Sequence, residues 1–167
     1  LLEAIRANGQ NSPILERPHP KVDGRYMIVF GHRRVLVATD LGRKVRAVVK
    51  KIDDKAHVIA QGQENSARAS LSFVEKAAFA KRLEELGYER DVISSALASN
   101  ESAVSKMISV GTRIPYDVIQ KIGSAPGVGR ERWVELSLLI PKKIATVNEI
   151  VGDPEFENLE SNHRFER

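Results

Sequence analysis

The sequence predicts an α+β fold in which a small mixed half precedes an all-helical half. Three observations predict it. Runs with strand character, rich in β-branched or aromatic residues, occur only early: Ile14-Leu15-Glu16-Arg17, residues 25–30, and Val45-Arg46-Ala47-Val48-Val49-Lys50. Apolar residues at helical spacing fill the gaps between these runs, and from Leu71 onward they stand alone. Ser72, followed three residues later by Glu75, opens the helical half with a capping-box signature. The boundary between the halves is expected near residues 66–72.

Each element follows from local chemistry. Residues 1–8 place Leu1, Leu2 and Ile5 on one helical face, and Asn8-Gly9 ends that helix with residues that tolerate a left-handed cap. Ser12-Pro13 is a turn. His19 to Gly24 is a loop closed by Asp23-Gly24, a tight-turn pair. The strand 25–30 runs into Gly31, and a helix from about His32 to Leu41 buries Val35, Ala38 and Leu41. The strand over 45–50 is β-branched on one side and basic on the other. Asp53 caps a helix to about Asn65.

In the second half, the helix 73–86 buries Phe73, Ala77, Ala80 and Leu83, and Gly87 ends it. A short helix from about Arg90 to Leu97 carries Val92, Ile93, Ala96 and Leu97 inward. Ala98-Ser99 is a turn, and Asn100 caps a helix from Glu101 to Val110 with Val104, Met107 and Ile108 inward. Residues 116–123 form another helix. Ser124 to Arg130 is a glycine-rich loop before the helix 131–140, where Trp133 belongs to the core. Pro141 opens a last helix, 142–151, and the acidic tail from Asp153 reads as linker or fraying end.

Composition narrows the function classes. The 167 residues suffice for one domain or two small ones, and 5% aromatic content implies an aliphatic core. The chain has no cysteine, which excludes disulfide frameworks and thiolate zinc sites and fits a reducing cytoplasm. No apolar run reaches spanning length. The first residues already read as mid-helix and lack an initiator Met, so the chain is expected to be part of a longer protein. Charge is unevenly placed. Residues 1–60 carry 12 Lys/Arg against 6 Asp/Glu, 61–115 balance at 7 against 7, and 144–167 carry 2 against 6. The surplus gathers around Arg33, Arg34, Arg43, Lys44, Arg46, Lys50 and Lys51, which suits a polyanion or a nucleotide phosphate as well as plain solubility.

Two stretches carry chemistry. Gly31-His32-Arg33-Arg34 stands at a strand-to-helix turn: the glycine admits close approach to the backbone, the helix start offers free N–H groups, and the arginines offer forked donors. The arrangement suits an anion, and it is equally two solvated charges on a first helical turn. Residues 88–115 have helix-turn-helix layout. The second helix presents Ser102, Ser105, Lys106 and Ser109 outward, small enough to enter a major groove. The segment holds three basic and three acidic residues, and a plain helical hairpin fits the same spacing. The 124–130 loop lacks a P-loop lysine and a preceding strand, so it reads as a structural turn.

Taken in order, Gly31-His32-Arg33-Arg34-x-x-x-Ala38, then Glu64-Asn65-Ser66-Ala67-Arg68, then the helix-turn-helix after Ser72-Phe73-Val74-Glu75-Lys76-Ala77, resemble the ParB family of bacterial DNA-segregation proteins over residues 1 to about 115. The Gly9-x-x-x-Pro13-Ile14 turn fits the same pattern. His32, the Phe73 to Ala77 run and the Ile122 to Trp133 run resemble the RepB branch, centromere-binding partition proteins of large plasmids in alpha-proteobacteria. The resemblance implies a nucleotide-binding domain over 1–70, a helix-turn-helix DNA-binding domain over 71–140, and a C-terminal helix and linker over 141–167.

It also implies roles. Gly31, His32, Arg33 and Arg34 would hold the triphosphate of CTP, with Arg68 adding a phosphate contact. Glu64 and Asn65 would bind Mg²⁺, Glu64 aiding hydrolysis, and Gly9, Ser12 and Pro13 would frame the base. Ser99, Asn100, Ser102, Ser105, Lys106 and Arg113 would contact DNA, Asn100 chiefly as a cap. The implied activity is a homodimeric clamp on a palindromic centromere, gated by CTP, working with a ParA-type ATPase through segments outside this chain, in the cytoplasm and on the nucleoid or plasmid. The alternative is a DNA-binding regulator without nucleotide turnover. A sulfiredoxin-like enzyme ranks last because that chemistry needs a cysteine. The chain departs from the family box at His32 (usually Glu), Leu36 (usually Arg) and Ser12 (usually Gln), which bears on hydrolysis more than on phosphate binding.

Overall fold

Ile14 and its neighbours form the strand on which the first unit is assembled. β1 (Ile14–Pro18) is the middle strand of a three-stranded sheet, with β2 (Tyr26–Phe30) antiparallel on one side and β3 (Ala47–Val49) parallel on the other. A computed structural model describes residues 2–68 and 71–167, leaving aside the side chains of 65–68. Contacts divide the chain into two units, 1–64 and 65–167.

In the first unit, Ile14 and Val29 are fully buried on the sheet. Glu16 pairs with Ile28 and Leu15 with Phe30, with an irregularity between Leu15 and Glu16. α1 (Leu2–Asn8) buries Ile5, and α2 (His32–Asp40) leaves β2 directly and buries Ala38. Val35 and Leu41, expected in the core, are half-buried, because α2 turns its small residue toward the sheet. β3 is shorter than the 45–50 run. It is an edge strand, so Val48 and Val49 stay 42% and 49% exposed instead of forming an inner face. α3 (Asp54–Arg68) begins after Asp53, whose carboxylate accepts the Ala56 N–H at 2.7 Å, a normal N-cap.

The second unit is all helix: α4 (Phe73–Glu85), α5 (Arg90–Leu97), α6 (Glu101–Arg113), α7 (Tyr116–Ile122), α8 (Arg130–Leu139), a 3-10 turn at Ile140–Lys142, and α9 (Ile144–Gly152). A second 3-10 turn at Phe156–Asn158 leads to α10 (Ser161–Glu166). The Ser72 capping box is complete: the Ser72 N–H donates to Glu75 Oε2 at 2.8 Å, and the Glu75 N–H donates to Ser72 Oγ at 3.4 Å. That cap fixes the phase of α4, so Val74, Ala77, Ala80 and Leu83 face inward and Phe73, on the first turn, is only half-buried.

The tail from Asp153 is packed rather than loose. Phe156 is 1% exposed, Phe165 meets Trp133 edge-on with ring centroids 4.6 Å apart, and Arg164 donates to the carbonyls of Leu159, Lys121 and Glu157. Two aromatic side chains and one fork-shaped donor outweigh the acidic composition that reads as linker.

α6 lies tightly on α4. A Cβ built on Gly111 would sit 2.9 Å from the Ala77 carbonyl oxygen and 3.1 Å from Lys81 Cβ. α6 runs through Gly111 to Arg113, three residues past the expected end at Val110. Gly111→Ala gains roughly 1 kcal/mol of helix propensity but drives a methyl into backbone. The expected net change is a destabilisation of about 1–3 kcal/mol, read as a lower urea midpoint. A neutral or stabilising result would show that the α4–α6 contact is loose.

Candidate functional site

The first unit gathers the Gly31 turn and the Gly9–Pro13 turn at one end of β1. Gly31 has φ 99°, and a Cβ there would meet Ile14 Cγ2 at 2.6 Å, so the position admits only glycine on two independent grounds. No side chain caps α2, and only the Arg34 and Val35 amides turn back to the Gly31 carbonyl, at 2.9 and 3.2 Å. The α2 N-terminus therefore has anion-binding character. Arg33 and His32 are exposed on its first turn.

Arg34 is held differently. Its Nη1 donates to the Pro13 carbonyl at 2.9 Å and, more weakly, to the Ser12 carbonyl at 3.4 Å. Ser12 and Pro13 thus enter the site through their backbone oxygens, their side chains being exposed. Gln10 completes the turn: Nε2 donates to the carbonyls of Ser12 and Arg46, both at 2.9 Å, and Oε1 accepts the Arg46 N–H at 2.7 Å. Arg43 donates to the Ile5 and Arg6 carbonyls at 3.0 and 3.3 Å, closing the C-terminal end of α1. Gly9, Gln10, Arg34, Arg43 and Lys44 line a cavity of about 40 Å³. Pockets that enclose ligands run to several hundred Å³, so a nucleotide would need this turn to open.

The structure brings Gly9, Ser12, Pro13, Gly31 and Arg34 together. Gln10 carried no signal except its place between a helix-ending glycine and a proline turn. Arg43 and Lys44 were visible only as part of the basic surplus. Glu64 is half-buried on α3, and the side chains of Asn65 and Arg68 lie outside the described residues. Among the described residues no group of three or more His, Cys, Asp or Glu converges as a metal cage.

At the other end of β1, Arg17 is 6% exposed and pairs through Nη2 with Asp54 Oδ1, while Nη1 donates to the Ile52 carbonyl at 3.4 Å. His57, nearby on α3, has a buried Nδ1 with no hydrogen-bond partner among the described residues. Burial, then the Arg17 charge, and less strongly His32, hold its pKa below the usual 6.5, against a raising effect of Asp54.

In the second unit, α5 and α6 meet through Ala98, a non-glycine residue at φ 47°. Asn100 Oδ1 accepts the Ala103 N–H at 2.8 Å and caps α6. Ser99 is half-buried and its hydroxyl donates to the Leu97 carbonyl at 3.0 Å, so it shapes the turn. Ser102 and Ser105 are exposed, as is Arg113 in the last turn of α6. Lys106 Nζ lies 3.3 Å from Glu131 Oε1, on the first turn of α8, and the same oxygen accepts from Arg130 Nε at 2.8 Å. The Arg130 and Lys106 hydrogen bonds hold the Glu131 pKa below the carboxylate norm.

The His57 geometry sets a pH response. The unfolded chain takes up this proton near pH 6.5, the folded chain only at lower pH. The neutral form is the one folding favours, so this contribution is complete above about pH 6.5 and declines as pH falls toward the folded pKa. An NMR titration is expected to place the His57 midpoint below 6.5, and His57→Gln to flatten the acid-side fall in stability. A His57 midpoint at or above 6.5 would contradict the buried, unpartnered Nδ1.

Comparisons with known proteins divide the chain two residues past the boundary between its units. Residues 1–66 match the model of the ParB N-terminal domain, and residues 67–167 match that of the RepB plasmid partitioning protein. A candidate replication protein B of Sinorhizobium fredii is 61% identical over 167 residues, covering 99% of this chain and 51% of that protein. One of Rhizobium rhizogenes is 44% identical, covering 99% and 53%. The chain thus spans about half the length of these curated relatives. A C-terminally truncated chromosome-partitioning protein ParB of Caulobacter crescentus, solved with the centromeric parS site, aligns over 93% of this chain and 80% of its own at TM-score 0.53 and 25% identity. No helix among the described residues is long and apolar enough to cross a membrane. With a ParB N-terminal domain ahead of a helical unit that matches along its whole length, the chain belongs to the RepB family of plasmid partitioning proteins.

Proposed function

We propose that the chain binds a palindromic, centromere-like DNA site through α5 and α6, and that CTP in the first unit controls how that DNA is held. The observation that carries the DNA reading is the α5–turn–α6 unit. Asn100 caps α6, Val104, Met107 and Ile108 are buried beneath it, and Ser102, Ser105 and Lys106 stand toward the open side. Small hydroxyl side chains let a helix approach base edges, and Lys106 and Arg113 supply cations for phosphates. The ParB relative solved on parS supports this use of the fold.

For the nucleotide, the residues fit the group in kind. The uncapped α2 start and Arg33 suit phosphate oxygens, Gly31 sets the left-handed turn that begins α2, and Glu64 with Asn65 would hold Mg²⁺. Bound Mg²⁺ would offset phosphate charge. Gly9, Ser12 and Pro13 would frame the base through backbone groups, and Arg68 would add a phosphate contact. A homodimer, a ParA-type ATPase and a nucleoid or plasmid location complete the proposal. A second reading, a DNA-binding adaptor without nucleotide turnover, is favoured by two features. His32 occupies the acid position of the family box, and Arg34 is engaged by the Ser12 and Pro13 carbonyls.

Calorimetric titration of CTP with and without Mg²⁺ separates the two. Arg33→Ala should weaken CTP binding about tenfold or more, as losing a charge-assisted contact does, without lowering stability. Arg34→Ala should lower both. If wild-type chain binds no CTP, the clamp reading falls and the adaptor stands. Lys106→Ala should weaken binding to the replicon's own centromere duplex and reduce the salt slope by about 0.9, one phosphate. Unchanged affinity would remove α6 as the reading helix.

A further inference from the structure

Lys106 is not free on the face proposed to meet DNA. A single oxygen, Glu131 Oε1, accepts from Lys106 Nζ at 3.3 Å and from Arg130 Nε at 2.8 Å, so one carboxylate bridges two cations from two helices. All three side chains remain accessible, 41%, 61% and 49% exposed, and pairs this open add little to folding stability. Their effect is on the charge the surface shows.

The bridge is placed by structure. Glu131 stands on the first turn of α8, where a carboxylate faces the positive end of the helix. The loop before it is fastened to α10: the Ala125 N–H donates to Ser161 Oγ at 2.6 Å, and the Gly127 N–H donates to Asn162 Oδ1 at 2.9 Å. Ala125 holds a left-handed φ of 37° within that loop. The α8 start is thus fixed beside α6, and the carboxylate oxygen sits between the two donors.

We infer that Glu131 is a specificity-determining residue that occupies Lys106 and Arg130 until a correctly docked DNA phosphate replaces it. This rests on the DNA reading of α6. Loose, sequence-independent association depends on phosphate neutralisation, so a carboxylate holding two of the available cations suppresses it. A specific complex, seated through base edges by Ser102 and Ser105, brings phosphates close enough to displace the bridge. Discrimination then comes from penalising the wrong complex, not only from improving the right one.

The test compares Glu131→Gln with Glu135→Gln, an equal charge change on α8 outside the bridge, in the full chain. Binding to a mixed-sequence duplex of about 30 base pairs is measured from about 50 to 200 mM salt, alongside the centromere duplex. Glu131→Gln is expected to raise mixed-sequence affinity roughly threefold to tenfold beyond the control and to steepen its salt slope by about 0.9 to 1.8. The centromere-to-mixed affinity ratio should fall. Adding Lys106→Ala to Glu131→Gln should remove most of the gain, a coupling that independent sites would not show. Equal behaviour of the two glutamine variants, or a purely additive double variant, overturns the inference while a wild-type centromere preference leaves the DNA reading intact. Absence of any wild-type DNA binding overturns both.

Discussion

How closely α6 lies against α4 decides what the helical unit can present outward. Gly111 stands where any side chain would strike the Ala77 carbonyl, and Ala77 and Ala80 opposite it are fully buried. Small residues at a helix contact let the axes approach. Once that contact is made, Val104, Met107, Ile108 and Val110 have to face the core. Helical geometry then leaves Glu101, Ser102 and Ser105 on the opposite side. The face proposed to read DNA is thus a consequence of the face that packs, and Asn100 adds only the point at which the helix begins.

In the first unit, charge and availability are different quantities. Residues 1–60 have twice as many basic as acidic groups, yet much of that charge is engaged internally. Arg17 is buried against Asp54, Arg34 reaches the Pro13 carbonyl, Arg43 closes the end of α1, and Arg46 donates to the Gln10 carbonyl. A planar guanidinium with five donors suits carbonyl-rich turns as well as phosphates. The 9–13 turn offers backbone oxygens to Arg34 and Arg46, and the end of α1 offers the Ile5 and Arg6 carbonyls to Arg43. Arg33, exposed at an uncapped helix start, is the cation best placed to meet an incoming anion.

That distinction separates what could be read from the chain and what could not. The α4, α5 and α6 helices were legible because their caps and apolar spacing are local: Ser72 with Glu75, Asn100, and the Val92-Ile93-Ala96-Leu97 set all act within a few residues. The Gly31 turn was legible because a glycine between a strand and a helix has a conformational reason. The Gln10 clasp to residue 46, the Glu131 bridge to residue 106 and the Ser161 bond to residue 125 join positions 25 to 36 apart. No spacing rule announces them. The packed tail was misread because acidic composition hid Phe156, which is buried, and Phe165, whose ring meets Trp133 far upstream.

The neutrality of residues 88–115 bears on the DNA proposal in a way that composition alone obscures. Three basic and three acidic residues look unsuited to a polyanion. The fold adds Arg130 and Glu131 beside Lys106, and the local balance stays even. A strongly positive reading face would bind any duplex through phosphate neutralisation, and the genome offers many such competitors. A face held neutral by a displaceable carboxylate attracts weakly until base-edge contacts form. In the proposed complex, selectivity would then rest on Ser102 and Ser105, whose short side chains discriminate only at close range. Near-zero charge on this surface therefore fits a selective DNA reader when the neutralising group exchanges for phosphate, the role inferred above for Glu131, whose carboxylate is exposed and shared by two cations.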